Sequence, residues 1–443
     1  MPADVRREKR RVLAASAIGT TIEWYDFFIF STSAALVFST QFFSALDPGT
    51  ALLASMATLG VQFVARPFGS AVTGHFGDRI GRKKMLILTL GVMGAATVAV
   101  GLLPTYAQIG IWAPVLLVLM RCLQGFSAGG EWAGAALMAV EHAPRAKRGI
   151  YGSSSQIGTP LGLILANGVF LLMVSITTEQ QFLAWGWRVP FLLSIVLIGL
   201  GFYIRFAVNE SPVFAEMKAA QRDARAPLGQ IVREHKRPVV LAAATFLANN
   251  MVGYIFLSFL LSYATNTLRM ARPTMLAIVI AGSFSWLLAI LFSGWIADRI
   301  GARRIFIVGF GAMLVWSIPF MLLVDTASVL AIVVATTILT VTLGLSYGAQ
   351  SALFVSLFPT RVRYSGASLA YAFGAVLGGG FAPFIATWLV QRTKSGLSVG
   401  LYMFVMVAIS LTATLMIRRS DMVGLLHGPD MRDADGDAVS LHS

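Results

Sequence analysis

Charge is scarce in this chain. Asp, Glu, Lys and Arg make up 12% of its 443 residues, about half of the roughly 25% usual in a soluble protein. Cys122 is the only cysteine, so no internal disulfide can form, and its place in an apolar run suits a small core residue better than a reactive thiol. Histidine is confined to His75, His142, His235, His427 and His442, all outside the apolar runs or at their basic ends. A histidine proton relay in mid-membrane is therefore excluded. The sequence has no HExxH, no paired metal-ligand cluster and no Ser-His-Asp set that could meet near one face. That argues against an enzyme, and no cofactor or metal is expected. The alternation of a β-barrel is missing as well.

What the chain has is apolar length, with 57% hydrophobic residues. Runs of about 20 or more cross a hydrocarbon core of ~30 Å at about 1.5 Å per residue. Helices are expected at 13–39, 51–76, 85–103, 112–140, 149–176 and 187–207, then at 238–264, 274–297, 305–324, 328–357, 364–390 and 398–417. The fold class is an all-α membrane protein with twelve transmembrane helices in two six-helix bundles, its surface partner the lipid bilayer. The first run continues to Ser39 without a small-residue cleavage site and reads as a retained helix.

The net charge of +14 falls in short basic clusters between the apolar runs, which is the pattern of cytoplasmic loops and not of a nucleic-acid partner. Arg6 to Arg11, Arg79 to Lys84, Arg145 to Arg148, Lys218 to Arg237, Arg299 to Arg304, Arg361, Arg363, Arg418 and Arg419 alternate with segments that hold only Arg188, Arg269, Arg272, Arg392 and Lys394. Both termini are thus expected inside. The expected organisation is a cytoplasmic N-terminal segment (1–12), a first six-helix domain (13–207), a cytoplasmic linker (208–237), a second six-helix domain (238–418) and an acidic, disordered tail (419–443).

GHFGDRIGRKK, from Gly74 to Lys84, stands between helices 2 and 3, and GWIADRIGARR, from Gly294 to Arg304, stands between helices 8 and 9. Gly74, Asp78, Arg79 and Gly81 recur as Gly294, Asp298, Arg299 and Gly301 in the same membrane orientation. That implies two parallel six-helix repeats.

Ionisable residues inside the spans are few and costly, at least ~2.5–3.5 kcal/mol each on insertion scales. They are Glu23 and Asp26 in helix 1, Arg66 in helix 2, and Arg121 and Glu131 in helix 4. Asp26 lies roughly 20 Å from the inner end of its helix and Arg121 roughly 14 Å from the outer end of its own, so both sit near the midplane. These depths permit Asp26–Arg121 and Glu131–Arg66 pairs, with Glu23 left to titrate. The residues are read as proton-coupling carboxylates (Glu23, Asp26, Glu131) and anion-binding cations (Arg66, Arg121); static bridges between helices are the alternative. The second half has no charge within its spans. It offers Asn249 and Tyr254 in helix 7 and Tyr347 and Gln350 in helix 10, neutral groups suited to orienting hydroxyls on a solute, and Gln156 in helix 5 is similar. Tyr25 could stack on a ring.

The repeated G-x-x-x-D-R-x-G-R-K loop resembles the signature of the major facilitator superfamily, and RCLQG (Arg121 to Gly125) resembles its second motif. EWYDFF (Glu23 to Phe28), RPFG (Arg66 to Gly69), QGFSAGGEWAGAAL (Gln124 to Leu137), WGWRVPFLLS (Trp185 to Ser194) and NESPVF (Asn209 to Phe214) resemble the metabolite:proton symporter family. The resemblance implies a monomer of the bacterial inner membrane. Such a protein carries a small organic anion, shikimate or a related hydroxylated carboxylate, together with protons by alternating access. It also implies that Gly74, Asp78, Arg79, Gly81, Arg82 and Lys83, with Gly294, Asp298, Arg299, Gly301 and Arg303, form gating loops that latch the cytoplasmic side. Export of a metabolite or drug on the same scaffold is an alternative, although GTPLG (Gly158 to Gly162) matches the antiporter motif only in part. Proline or betaine symport is another, although the long coiled-coil tail common in those transporters is missing.

Overall fold

The computed structural model describes residues 3–80, 82–127, 139–140, 143–144, 147–208, 235–359, 362–418 and 421–422. Every regular element among them is helical. The first half contains α1 (Ala3–Leu36), α2 (Pro48–Ile80), α3 (Arg82–Leu102), α4 (Trp112–Ser127), α5 (Gly158–Ile176) and α6 (Val189–Val208). The second contains α7 (Lys236–Tyr254), α8 (Arg272–Ile300), α9 (Ala302–Asp325), α10 (Val329–Leu357), α11 (Arg363–Ala375) and α12 (Leu397–Met416).

The packing repeats itself six helices on. In the first half α1 packs on α5 and α6, α2 on α4, and α3 on α4 and α6; in the second, α7 packs on α11 and α12, α8 on α10, and α9 on α10 and α12. The two halves are therefore copies of one bundle, as the repeated loop motif required. Between the bundles α5 lies on α8 and α2 on α11, which are again partners related by the repeat.

Polarity is arranged for a membrane. Leu288, Val315, Leu330 and Leu377 point outward and are exposed, while Arg121, Gln124, Asn249 and Gln350 are buried. In lipid the apolar surface costs nothing outside, and the polar groups must find one another within.

Several helices depart from the simple runs that their apolar length suggests. Expected helix 5 is broken: a short helix, Arg148–Ser154, is separated from α5 by the turn at 155–157. Ser153, Ser154 and Ser155 each donate their hydroxyl to a carbonyl three residues back, competing with the helical ladder. Pro160 then lacks the N–H that would reach the Gln156 carbonyl, which accepts from Thr159 instead. The first run also breaks, at Val37, before a short helix Phe38–Gln41. α7 continues beyond Tyr254 through wider π turns at Ile255–Phe259 and Tyr263–Thr267, and α11 continues through another at Val376–Gly380. Such turns gather at functional places in helices, and here they lie where α7 meets α1 and α11 meets α2. Positions 128–138 of expected helix 4, most of the 208–237 linker and nearly all of the tail lie outside the described residues.

Candidate functional site

The polar side chains of both bundles meet at the centre. Helical spacing places Gln62, Phe63 and Arg66 together on α2, Arg121 and Gln124 on α4, and Ser346, Tyr347 and Gln350 on α10. Arg121 is fully buried. Its guanidinium carbon stands 3.9 Å from the ring centre of Phe30 and 4.8 Å from that of Phe27. The guanidinium carbon of Arg66 stands 5.7 Å from the same Phe27 ring and 5.2 Å from Phe63. Two cations thus share one aromatic wall, whose π faces offset part of the cost of burying them.

Tyr254 of α7 closes that wall from the second bundle, edge-on to Phe27 at 5.6 Å and to Phe63 at 5.5 Å. It lies within the electrostatic reach of Arg66, Arg121 and Tyr347. Tyr347 in turn packs 5.4 Å from Trp286 of α8 and shares a hydrogen bond with Thr159 of α5 at 3.2 Å. Glu23 lies within electrostatic reach of Tyr347 and Tyr371. The sequence-selected residues Glu23, Arg66, Arg121, Tyr254 and Tyr347 are therefore brought together. Asn249, which accepts from Ser346 at 2.5 Å, and Gln350, one turn along α10 from Tyr347, extend the polar lining into the second bundle.

The centre is short of partners. Among the described residues no hydrogen-bond partner reaches Gln62 Oε1, Arg121 Nε and Nη2, Asn249 Nδ2, Tyr254 Oη, Trp286 Nε1 or either amide atom of Gln350. Each such buried group costs about 1–3 kcal/mol until something satisfies it. Unpartnered donors and acceptors thus gather in this density beside a buried cation.

Asp26 turns away from this lining into the first bundle. Its carboxylate accepts from Ser194 of α6 at 2.7 Å and from Thr97 of α3 at 3.5 Å. Asp26 and Arg121 do not form the ion pair that their depths permit; Gln124 and Thr97 stand between them. Arg121 Nη1 donates to Gln124 Oε1 at 3.0 Å, and Gln124 Nε2 donates to Thr97 Oγ1 at 2.8 Å. Sequence reasoning did not select Gln124, Thr97 or Ser194, although Gln124 lies in the quoted RCLQG motif. Tyr25 also stands apart, with its hydroxyl donating to the Pro190 carbonyl at 2.8 Å. Gln156 is buried in the turn before α5. Glu131 and Gly81 lie outside the described residues, as do the side chains of Asp78, Arg79, Arg82 and Lys83 and the surroundings of Gly74.

The second copy of the loop motif is described in full. Asp298 reaches across to the first bundle and accepts the backbone N–H groups of Gly149, at 2.5 Å, and Ile150, at 3.1 Å. A carboxylate at a helix N-terminus meets both free donors and the positive end of the dipole. Arg299 lies over Trp295, and Arg303 donates to the Thr414 and Leu415 carbonyls at the end of α12. Gly301 joins α8 to α9 with φ +91°, a conformation that other residues rarely adopt. At the opposite end of the bundles Asn266 donates to the Ala35 carbonyl at 3.2 Å, Gln391 to Gly49 at 2.9 Å, and Arg272 pairs with Glu179 at 3.3 Å. The bundles touch at both ends, with the polar centre between the two closures.

Comparison with known proteins agrees with this architecture. Residues 16–383 match the sequence model of the Major Facilitator Superfamily. The inner membrane metabolite transport protein YhjE of Escherichia coli is 42% identical over 92% of this chain and 94% of its own. The shikimate transporter of Escherichia coli is 39% identical over 93% of this chain and 95% of its own. The crystal structure of a D-xylose–proton symporter superposes with a TM-score of 0.72 at 17% identity, covering 92% of this chain and 97% of the other. At that identity the likeness speaks for the fold.

Proposed function

The chain belongs to the major facilitator superfamily, a membrane transporter and not an enzyme, and from that premise we propose that it is a proton-coupled symporter of a small hydroxylated organic anion, shikimate or a close chemical relative. It works by alternating access in the inner membrane, as a monomer with both termini and the basic loops on the cytoplasmic side. The observation that carries this reading is Arg121, a fully buried guanidinium with two nitrogen positions lacking hydrogen-bond partners among the described residues. A carboxylate is the ligand that matches donors in that fork. Asn249, Trp286, Gln350 and Tyr254 then offer donors and acceptors to hydroxyls at the far end of the solute.

The proton has carriers close by. Asp26 is buried among hydroxyls, and Glu23, half-buried on α1, lies within electrostatic reach of Tyr347 in the second bundle. An anion bound at Arg121 cancels positive charge near Asp26, so the anion and the proton favour each other's binding, which is the requirement for symport. Asp298 and its repeat partner Asp78 act at the cytoplasmic closure, which must part each time the bundles rock.

Purified protein in proteoliposomes with an imposed inward proton gradient tests the reading. The panel is radiolabelled shikimate, quinate, a dicarboxylate, citrate and glycine betaine. Accumulation of a hydroxylated monocarboxylate, lost with a protonophore, is expected. Accumulation of betaine alone, or uptake driven equally well by sodium at fixed pH, overturns it.

A further inference from the structure

Four buried side chains run in an unbroken line from the proposed anion anchor to the proposed proton carrier: Arg121, Gln124, Thr97 and Asp26. Their order has a chemical direction. A guanidinium is donor only, so Gln124 must turn its carbonyl oxygen toward Arg121. Its NH2 group is then committed to Thr97, whose oxygen must accept. Thr97 has a single hydroxyl proton left to give, and two acceptors compete for it: the Met93 carbonyl at 3.0 Å and Asp26 Oδ2 at 3.5 Å.

That competition has two settled outcomes. When Asp26 is ionised it accepts only, and the Thr97 proton turns to it beside the one from Ser194. When Asp26 is protonated it needs an acceptor, and the Thr97 proton turns to Met93, leaving an oxygen lone pair for the carboxylic O–H. Which arrangement is better depends on how firmly Gln124 holds Thr97. Gln124 is held in turn by the same guanidinium that an anion would engage.

We propose that Gln124 and Thr97 are positioning residues that couple occupancy at Arg121 to the protonation of Asp26, so that the two charges communicate through a neutral bridge and not through an ion pair. The inference rests on the symport reading above. No proton travels along the bridge: Gln124 neither gains nor loses one, and the hydroxyl proton of Thr97 only changes its acceptor. A direct ion pair would have to break for the carboxylate to be protonated, at high cost in a buried site; a hydroxyl that rotates between two acceptors costs far less.

The test compares Thr97→Val, of nearly equal volume but without the hydroxyl, with Thr97→Ser, which keeps it. Both are reconstituted beside wild type and Asp26→Asn, with radiolabelled shikimate as probe. Counterflow without a gradient and accumulation with a proton gradient are read in parallel. Thr97→Val should retain counterflow and lose accumulation, and Thr97→Ser should retain both. If wild type itself fails to accumulate shikimate or any other panel solute with protons, the symport reading has failed. If wild type accumulates, Asp26→Asn does not, and Thr97→Val still does, then symport stands and the bridge is overturned. Loss of counterflow in a folded Thr97→Val protein also overturns it, because the hydroxyl would then serve binding. If Thr97→Val does not fold, Gln124→Leu decides: normal accumulation in that variant, or failure to fold there too, makes the line a structural brace only.

Discussion

The carboxylate of Asp298, at the end of α8, accepts the backbone N–H of Gly149 from the opposite bundle. One side chain of the second half thereby completes the first turn of a helix in the first half. The approach is close enough that a Cβ on Gly149 would collide with the Gly294 backbone and with Asp298, and a Cβ on Gly294 with Ser153. Among the described residues, the closure at the basic end sets backbone against backbone beside the charge of Asp298.

Asp298→Asn keeps one acceptor and loses the charge that the helix N-terminus favours, a contribution of about 0.3–1 kcal/mol from the dipole besides a weaker hydrogen bond. Transport should fall while equilibrium binding of shikimate in detergent changes by less than about tenfold, or ~1.4 kcal/mol. Scintillation proximity binding beside proteoliposome uptake makes the comparison. Lost binding in a folded Asp298→Asn protein would place the residue in the solute site.

Gly294→Val should prevent the basic end from closing. Overpacking of a tight contact costs about 1–3 kcal/mol, and here it falls on one conformation of the cycle only. The variant should lose uptake, and a cysteine at position 153, in a background with Cys122 replaced, should become more reactive to a membrane-impermeant maleimide applied from the basic side. Unchanged labelling together with normal uptake would mean that the Gly149–Gly294 contact is not part of the cycle.

The far end holds two kinds of contact of unequal worth. Arg272–Glu179 is an ion pair whose Glu179 side chain is 73% exposed, and such pairs contribute about 0–1 kcal/mol. Glu179→Gln should leave thermal unfolding in detergent and uptake nearly unchanged. Asn266 donates its amide to the carbonyl of Ala35, near the break at Val37, and to Ser262. Asn266 is exposed, but the Ala35 carbonyl that it caps belongs to a buried residue, so Asn266→Ala should cost about 0.5–1.5 kcal/mol, seen as a lower unfolding temperature. An equal loss in both variants would contradict this ranking.

The twelve helices, their division into two bundles and the presence of Arg66 and Arg121 inside them were legible in the sequence, because apolar length and intramembrane charge are both properties of composition along the chain. The breaks were not. Val37 carries no proline or glycine signal, and the interruption before α5 comes from serine hydroxyls bonding backward and from a proline four residues after the Gln156 carbonyl. Side-chain direction was equally hidden. Glu23 and Asp26 are three apart and look like one face, yet the remaining angular difference sends Glu23 toward the second bundle and Asp26 inward to Thr97 and Ser194. Neutral partners such as Gln124 carry no cost signature of their own, so counting charges passed over them.

Neutralising the buried charges Asp26 and Arg121 should have effects that differ in kind. Asp26→Asn imitates a permanently protonated carboxyl and should exchange solute without accumulating it. Arg121→Gln removes the counter-charge proposed for an anionic solute and should abolish exchange and accumulation together. With no ion pair between the two residues, the double variant should resemble Arg121→Gln. Recovery of accumulation in the double variant would reinstate a static salt bridge.

If proton and solute enter together by way of Asp26, the movement of protons can be observed directly. Proteoliposomes loaded with a pH-sensitive dye, at equal pH inside and out and with membrane potential clamped by valinomycin, are given external shikimate. Wild type should acidify the lumen as labelled shikimate enters, and Asp26→Asn should show counterflow without acidification. Entry of shikimate into wild-type vesicles with no change in luminal pH would contradict the account.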